Sequence, residues 1–323
     1  MVDLSIIIPH YNSVPTLKKL LYSIPIKKNI EIIVVDDRSN KDIEKLNYLI
    51  RSIEFKHIIF LSNNTKKKGA GVCRNIGMKK AVGKWILFAD ADDFFVKNFY
   101  ANISKYFNEN FEVVFFKPQS IEIDTGMESD RHQRYEGLIT NYIHNNNLES
   151  ETLLRYQFFV PWSKLIRRDF LEKKGICFDE VIASNDVMFS AKTGHYMKDF
   201  HVTFDVIYCV TRGKGTLTTN TNIEVYNSRL SVYIDYCKFL KEKLNKNSYR
   251  ILNINGMGMI FNALKFKLGF KKIISVYVQL RKNQIPLFNF RFINPIFVVK
   301  KVVHHSKSHL NQKRYLSNKK TKS

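Results

Sequence analysis

The sequence has few cysteines and no long uncharged apolar run, and both absences narrow the class of protein. The four cysteines form no CxxC pair and no spacing typical of a metal site, so neither a disulfide scaffold nor a zinc module is indicated. The apolar stretch 285–303 is broken by charged residues such as Arg291 and Lys300, and it falls short of the roughly 18 uncharged residues of a membrane span. The chain enters a strand pattern at Leu4 with no signal-peptide pattern before it. We therefore expect a cytoplasmic protein.

The common phosphate-binding motifs are also missing. Gly69, Gly71 and Arg74 lie at the start of a predicted helix over 71–82, but their spacing fits neither GxGxxG nor the P-loop pattern, so a classical dinucleotide or ATP site is disfavoured. A glycine-rich approach to a helix that carries a cation still suits contact with a phosphate or a ribose. The alternative is that these glycines only allow close packing.

Acidic residues are scarce in the last quarter of the chain. Residues 241–323 hold 19 lysines and arginines against one acid, Glu242, so most of the net charge of +23 lies there. Such a segment suits an anionic partner: a membrane leaflet, a nucleic acid or an acidic polymer. Apolar and basic residues interleave at helical spacing over 261–280, which favours an amphipathic helix on an anionic membrane surface. The alternative is a solvated helix face followed by a disordered tail from about residue 304.

Strand and helix patterns alternate through the first hundred residues. Buried-strand patterns occur over 4–9, 31–35, 57–61 and 84–89, and helical patterns over 15–24, 41–53 and 71–82. This alternation predicts an α/β fold with a doubly wound, mostly parallel sheet and helices on both faces. Further on, helices are predicted over 162–174 and 184–196 and a strand over 200–210. We place a domain at 1–220 and a mainly helical, strongly basic C-terminal region at 221–323.

Two acidic clusters follow apolar strands directly. Asp36 and Asp37 end the second predicted strand, and Asp90, Asp92 and Asp93 end the fourth. Because ligands of a doubly wound sheet lie beyond the carboxyl ends of its strands, the two clusters should converge on one active-site edge. Carboxylates spaced in this way can hold Mg²⁺ or Mn²⁺ against a substrate diphosphate. Alternatively, they are turn formers and helix caps.

Taken in order, these segments resemble the family 2 glycosyltransferases of the GT-A fold. The resemblance covers roughly residues 3–215 and rests on Ser5-Ile6-Ile7-Ile8-Pro9-His10-Tyr11-Asn12, Val34-Val35-Asp36-Asp37-Arg38-Ser39, the Gly71 to Gly77 segment and Phe88-Ala89-Asp90-Ala91-Asp92-Asp93. It implies that the nucleotide, usually uridine diphosphate, is bound by Pro9, Tyr11, Asn12 and Asp37. The Asp90-Ala91-Asp92 stretch then matches the DxD motif, which binds ribose and a metal ion, with Asp92 as the direct metal ligand. Arg74 would contact the donor.

The resemblance also implies an inverting mechanism with a carboxylate general base. Its Glu-Asp pair is matched by Asn185 and Asp186, so Asp186 is the predicted base, and the Asn in place of Glu removes the first carboxylate. Trp162 and Lys164 match a Trp-x-Lys stretch that borders the sugar and the acceptor, although a tryptophan in a helix is as often a core residue. Arg212 begins a cationic loop that could close on the diphosphate; the alternative is a solvated turn.

These patterns together favour a transferase that moves a monosaccharide from a nucleotide-sugar, preferably a UDP-sugar, to a glycan or lipid-linked acceptor in surface-polysaccharide biosynthesis. Mn²⁺ or Mg²⁺ is the expected cofactor, and the expected place is the inner face of the cytoplasmic membrane, bound peripherally through the C-terminal region. A nucleotidyltransferase is an alternative, because it also uses carboxylate-bound metal at a sheet edge. A basic nucleic-acid-binding protein is another. Its basic tail lacks a recognisable motif, however, so no specific nucleic acid is expected.

Overall fold

A computed structural model of the chain describes residues 2–52, 57–213 and 222–288. The chain divides into two compact units, Met1–Leu252 and Asn253–Ser323. The first unit thus includes helices beyond residue 220, and the domain boundary predicted there stays a prediction. The tail from about residue 304, predicted to be disordered, lies outside the described residues.

The first hundred residues form alternating strands and helices, as the sequence predicts. The strands are β1 (Leu4–His10), β2 (Ile30–Asp36), β3 (Ile58–Ser62) and β4 (Trp85–Phe88), and the helices are α1 (Val14–Tyr22), α2 (Ile43–Arg51) and α3 (Ala70–Lys80). Strand β1 pairs in parallel with both β2 and β4, and β2 pairs in parallel with β3. Apolar β-branched residues fill β1 and β2, because both faces of a parallel sheet are covered by helices.

The second half of the sheet mixes strand directions. It contains β5 (Phe94–Phe95), β6 (Val113–Glu122), β7 (Lys164–Arg167) and β8 (Phe200–Arg212). The full order is β3-β2-β1-β4-β7-β6-β8-β5. Strand β7 is antiparallel to both β4 and β6, whereas β6 and β8 are parallel. The predicted helix over 162–174 is therefore wrong in its first part, because residues 164–167 supply backbone partners to the strands on both sides.

Helices cover both faces of this sheet. The remaining helices of the first unit are α4 (Phe99–Ser104), α5 (Gln133–Asn145), α6 (Leu148–Gln157), α7 (Arg168–Lys173), α8 (Asn185–Tyr196), α9 (Ile223–Lys243) and α10 (Lys246–Leu252). One apolar core includes Leu17 of α1 and Phe99 of α4, and a second core includes Phe170 of α7 and Phe189 of α8. The sheet is thus sandwiched between two apolar layers, and its edge remains for a site.

The described residues of the second unit, 253–288, form the helices α11 (Met257–Lys265) and α12 (Phe270–Lys282). The Gly256 backbone N–H donates to the carbonyl of Pro286 at 2.8 Å, which joins the start of α11 to the chain beyond α12. Within the described ranges, none of the helices is both long enough and apolar enough to span a membrane.

Candidate active site

The loop after β1 is held against the loop after β2 by side-chain hydrogen bonds. The Asn12 Oδ1 accepts from the backbone N–H groups of Asn40 and Lys41, each at 2.9 Å, and the Asn12 N–H donates to Ser39 Oγ. Asn12 has a φ of 50°, a left-handed conformation that asparagine tolerates better than most residues. The predicted nucleotide residue Asn12 therefore shapes the loop.

Tyr11 and Pro9 flank this turn in different ways. The Tyr11 side chain is 49% exposed, and the Lys68 ammonium lies 5.8 Å from its ring centroid. Pro9 lies beyond the last residue pair that joins β1 to β4, so its missing N–H leaves no gap in that ladder. An exposed ring beside a cation offers a stacking surface for a base, which fits the predicted place of Tyr11.

A histidine fixes the acidic end of β2. His10 Nδ1 lies 2.8 Å from Asp36 Oδ1, and the Ser13 N–H donates to His10 Nε2 at 3.2 Å. The ring must therefore carry its proton on Nδ1. Burial raises the pKa of Asp36, but the hydrogen bonds from His10 and Ser39 outweigh it, so the pKa lies below its usual value. Asp36 is thus a structural anion.

Asp37 is buried, and two donors fix its carboxylate. Asn63 Nδ2 donates to its Oδ1 at 2.6 Å, and the Gly69 N–H donates to its Oδ2 at 2.7 Å. These bonds tie the end of β2 to the loop after β3 and to the start of α3. Both carboxylate oxygens retain lone pairs, so Asp37 can still accept from a base or a ribose.

The three aspartates after β4 lie together, as the sequence predicts. One oxygen from each of Asp90, Asp92 and Asp93 lies within 4.8 Å of the others. Asp93 is turned inward, since it accepts from the Tyr208 hydroxyl at 2.9 Å and from the Thr211 N–H at 2.7 Å. Burial, with the neighbouring charges of Asp92 and Asp90, raises its pKa well above the usual range.

Of the three aspartates in the cluster, Asp92 has the side chain with the fewest hydrogen bonds. Its side chain bonds only to its own backbone N–H within the described part of the chain, and Ala91 before it is buried. Burial and then the charge of Asp90 raise the pKa of Asp92. Crowded carboxylates of this kind suit a hard divalent cation, which would relieve their repulsion. The residues present therefore fit a Mg²⁺ or Mn²⁺ ion.

Arg74 links the acidic cluster to α8. Its Nη2 donates to Asp90 Oδ1 at 2.5 Å and its Nη1 to Asn185 Oδ1 at 2.7 Å. The side chain is buried, and the guanidinium stacks 5.1 Å from the Phe178 ring centroid. Arg74 was predicted to contact the donor, and the structure directs two of its nitrogens to protein oxygens. Asn185, predicted on the acceptor side, is one of its partners.

Gly71 allows the close approach of α3 to the chain before α8. A Cβ at this position would lie 2.3 Å from the Asp179 carbonyl oxygen and 2.9 Å from the Asn185 Cβ. The glycine-rich stretch thus serves close packing here, which was the alternative reading of the sequence. Because α3 and α8 touch at this point, Arg74 can reach Asn185.

Asp186 lies in the first turn of α8, where the sequence places the general base. Burial raises the pKa of its carboxyl, the charge of Arg74 opposes that effect, and Asp90 and Lys164 also act on it electrostatically. Its one hydrogen bond within the described residues comes from its own backbone N–H. A carboxylate with a raised pKa and open lone pairs can accept a proton from a substrate hydroxyl.

Trp162 and Lys164 are both buried beneath the cluster. The Trp162 ring stacks on Tyr208, with centroids 5.8 Å apart, and the Lys164 Nζ donates to the Phe158 carbonyl at 2.8 Å and to Ser190 Oγ at 3.1 Å. Burial lowers the pKa of Lys164 to about 7. The structure gives Trp162 the core position that was one of its two readings, and it places Lys164 under the site.

Arg212 ends β8 and is paired with acids. Its Nη1 lies 2.6 Å from Asp130 Oδ1 and 3.5 Å from Glu122 Oε1. The rest of its predicted cationic loop, from residue 214, lies outside the described residues.

Sequence reasoning missed several neighbours of the cluster. Tyr208 and Thr211 bind Asp93, and Thr211 Oγ1 also donates to the Asp92 carbonyl at 2.6 Å. Arg131 and Tyr135 lie in the polar, irregular segment 124–147, whose pattern indicates only a mobile loop or a small helical insertion. Thr211 follows the predicted strand over 200–210 directly, and this position could have indicated that it lies near the site. Arg131 and Tyr135 belong to no motif.

The sheet order, with an Asp-Ala-Asp motif after the carboxyl end of β4, is that of the GT-A fold. The profile of Glycosyl transferase family 2 matches residues 5–175, more than half of the chain. The chain belongs to that family.

Relatives with known names extend this comparison. The chain is 23% identical over 299 residues to the Campylobacter jejuni GalNAc(5)-diNAcBac-PP-undecaprenol beta-1,3-glucosyltransferase, covering 90% of this chain and 88% of that protein. It is 38% identical over 122 residues to an Escherichia coli enzyme, UDP-Glc:alpha-D-GlcNAc-diphosphoundecaprenol beta-1,3-glucosyltransferase WfaP, covering 37% of this chain and 46% of that one. An uncharacterized glycosyltransferase of Rickettsia conorii is 36% identical over 109 residues, 33% of this chain, and the match spans only 17% of that protein.

Solved structures share the fold. S. aureus TarS 1-349 in complex with UDP-GlcNAc has a TM-score of 0.61 at 20% identity, covering 82% of this chain and 73% of that chain. The mannosyltransferase PcManGT from Pyrobaculum calidifontis, in complex with GDP-Man and Mn²⁺, has a TM-score of 0.53 at 13% identity, covering 87% of this chain and 75% of that chain. At these identities the likeness concerns the fold alone.

Proposed function

We propose that this enzyme transfers a monosaccharide from a UDP-sugar to a lipid-linked glycan acceptor, with inversion at the anomeric carbon, in surface-polysaccharide biosynthesis. The observation that carries the proposal is the meeting of Asp92, Arg74 and Asp186 at one edge of the sheet. The donor class is supported by TarS, which was solved with UDP-GlcNAc, and by WfaP, which is named for UDP-Glc. The acceptor class is supported by two relatives named for undecaprenol-linked substrates.

The donor is bound along the carboxyl edge of β1, β2 and β4. Tyr11 stacks on the base, Pro9 and Asn12 shape the loop around it, and Asp37 accepts from the base or the ribose. Asp90 binds the ribose through one carboxylate oxygen, while Arg74 donates a hydrogen bond to the other. Asp92 and its neighbours would hold Mn²⁺ or Mg²⁺, which would neutralise the negative charge of the diphosphate. PcManGT, solved with Mn²⁺, supports a metal on this fold.

Asp186 acts as the general base. As the acceptor oxygen bonds to the anomeric carbon, its proton passes to the Asp186 carboxylate, and the bond from that carbon to the diphosphate breaks with its electron pair on the phosphate oxygen. Burial raises the pKa of Asp186, which strengthens it as a proton acceptor. Asn185 keeps α8 attached to Arg74 without adding a second negative charge, and Trp162 and Lys164 support the acceptor side from below.

Donor turnover tests this assignment. Purified enzyme is incubated with a panel of UDP- and GDP-sugars and Mn²⁺, and the release of nucleoside diphosphate is compared for wild type, Asp92→Asn and Asp186→Asn. We expect release from one UDP-sugar, its loss in Asp92→Asn, and a fall of at least about 10²-fold in acceptor-dependent turnover in Asp186→Asn with donor binding retained. Pyrophosphate as the product would identify a nucleotidyltransferase instead, and a metal-loaded wild type that binds no nucleoside diphosphate would refute the transferase mechanism.

We also propose that the second unit binds an anionic membrane surface. Residues 253–288 contain six lysines and arginines and no acid. Helix α12 buries Val276 and Leu280, yet it also exposes a second apolar stripe, Phe270, Ile274, Tyr277 and Val278, at helical spacing. Lys271, Arg281 and Lys282 flank this stripe. An exposed apolar stripe between cations fits the interface of an anionic bilayer, and each cation near its surface contributes about 1 kcal/mol.

Vesicle sedimentation tests the membrane assignment. Wild type should sediment with vesicles that contain phosphatidylserine and remain in solution with pure phosphatidylcholine. Phe270→Ser with Ile274→Ser, and separately Lys271→Glu with Lys272→Glu, should each reduce sedimentation. The charge-matched control is Lys79→Glu with Lys80→Glu, an exposed pair at the end of α3. Equal sedimentation of all variants, or binding that ignores lipid charge, would refute this surface.

A further inference from the structure

Arg131 is a cation directed at the acidic cluster. Its Nη1 donates to the carbonyl oxygen of Thr211. The same threonine binds Asp93 through its N–H and the Asp92 carbonyl through its hydroxyl. The charge of Arg131 acts on both carboxylates and opposes the rise in their pKa values that burial causes. The guanidinium therefore lies beside the atoms that would hold a metal-bound diphosphate.

The charge of Arg131 is not neutralised by a protein acid. Within residues 2–52, 57–213 and 222–288 it forms no ion pair, and its hydrogen bonding is limited to the Thr211 carbonyl. A guanidinium has five N–H donors in a rigid fork, so most of them remain for a ligand. Arg212 differs, because Asp130 and Glu122 both pair with it. Of these two arginines, Arg131 is the one equipped to meet an anion.

Two neighbouring pairs of residues form a reciprocal clasp. Asp130 forms an ion pair with Arg212, and Arg131 donates a hydrogen bond to the Thr211 carbonyl. Two consecutive residues before α5 are thus bonded to two consecutive residues at the end of β8. This clasp fixes where the Arg131 guanidinium can lie relative to Asp92. Preorganised donors of this kind stabilise developing charge without reorganisation during the reaction.

We propose that Arg131 is a catalytic residue that binds the diphosphate of the donor, and that Arg212 is a positioning residue that holds it through Asp130. This inference rests on the proposed function. When the bond between the anomeric carbon and the diphosphate breaks, its electron pair remains on the phosphate oxygen, and the negative charge there increases. Arg131 donates to that diphosphate and stabilises the leaving group more than the intact donor.

Binding of diphosphates tests the assignment apart from turnover. Wild type, Arg131→Gln, Arg131→Lys and Arg212→Gln are titrated with UDP, GDP, inorganic pyrophosphate and uridine in the presence of Mn²⁺. Arg131→Gln should lose roughly 10- to 100-fold in affinity for the diphosphates and none for uridine. Arg131→Lys should recover part of the loss, and Arg212→Gln should show a smaller loss. The matched control is Arg134→Gln, since Arg134 is exposed and stacks on Phe159.

The rate of donor cleavage is then measured for the same variants. We expect kcat for donor cleavage to fall about 10²- to 10³-fold in Arg131→Gln, with a smaller change in KM. If Arg131→Gln binds the diphosphates as tightly as wild type, or loses uridine to the same extent, the inference is wrong while the proposed function stands. If pyrophosphate binding depends on Arg131 although no UDP-sugar is turned over, the inference holds and the donor assignment fails. If wild type binds none of the four compounds, both fail.

Discussion

The buried ammonium of Lys164 should make the stability of the enzyme depend on pH in a specific range. Burial lowers the pKa of Lys164 from 10.5 to about 7, and the charge of Asp186 only partly opposes it. A lowering of this size corresponds to about 5 kcal/mol of folding free energy. The pKa of Lys164 is lower in the folded protein than in the unfolded chain, so loss of its proton favours the folded state. This contribution to the free energy of unfolding is fully present above pH 10.5 and is lost as the pH falls toward 7. The free energy of unfolding should therefore rise by up to about 1.4 kcal/mol per pH unit in that range.

Removing the ammonium isolates this contribution. Lys164→Met keeps the length of the side chain but cannot bind a proton, so its free energy of unfolding should lack this rise. Urea unfolding of wild type, Lys164→Met and the exposed control Lys28→Met, measured between pH 7 and about pH 10, gives the difference in slope directly. The hydrogen bond to the Phe158 carbonyl is lost at every pH, so it shifts the curve without changing the slope. Parallel curves for wild type and Lys164→Met would show that the buried lysine keeps its proton and would refute the reasoning.

Three further predictions concern other parts of the site and its frame. Because burial raises the pKa of Asp186, the acid limb of the kcat profile should lie above the usual carboxyl range and should vanish from the residual rate of Asp186→Asn, while an unchanged limb in that variant would assign it to another group. Gly71→Ala should destabilise the protein by about 1–3 kcal/mol because its Cβ would meet the Asp179 carbonyl, whereas Gly137→Ala, in open space on α5, should stabilise it by up to about 1 kcal/mol, as thermal unfolding can measure. A thiol reagent at pH 8 should modify the exposed Cys177 and spare the three buried cysteines, whose thiol pKa values burial raises to about 11 or 12, so Cys177→Ser should abolish native labelling.

The sequence was sufficient for the first half of the sheet, strands β1 to β4, because each signal there is local. Strands β1, β2 and β4 are short apolar runs that end in polar or acidic residues, and parallel pairing then brings those ends to one edge. The position of Asp186 in the first turn of a helix was also predictable. The sequence predicts a helix over 184–196, and α8 begins one residue before Asp186. These features require only the periodicity of the chain and the rule that parallel strands end on the same side.

The second half of the sheet, strands β5 to β8, was harder because its geometry depends on residues that are distant in the chain. Residues 164–167 have apolar positions that suit either a helix or a strand, and their pairing with β4 and β6 decides for a strand. Arg131 gains its place from Thr211, 80 residues further along the chain. Lys164 looks like a site residue in sequence, yet its ammonium is buried under α8 and bonded to a backbone carbonyl. The strand at residues 164–167, the place of Arg131 and the burial of Lys164 cannot be predicted from the residues adjacent to them in the sequence.

The inward turn of Asp93 has a consequence for the order in which the enzyme becomes active during synthesis. Its two partners, Tyr208 and Thr211, follow it by 115 and 118 residues. Until they leave the ribosome, Asp93 lacks the two donors that bind its oxygens in the folded protein. Strands β1 to β4 can therefore form early, but the acidic cluster acquires its final geometry only when β8 packs against it. The acidic cluster is thus completed only after β8, which pairs with both β5 and β6, has been synthesised.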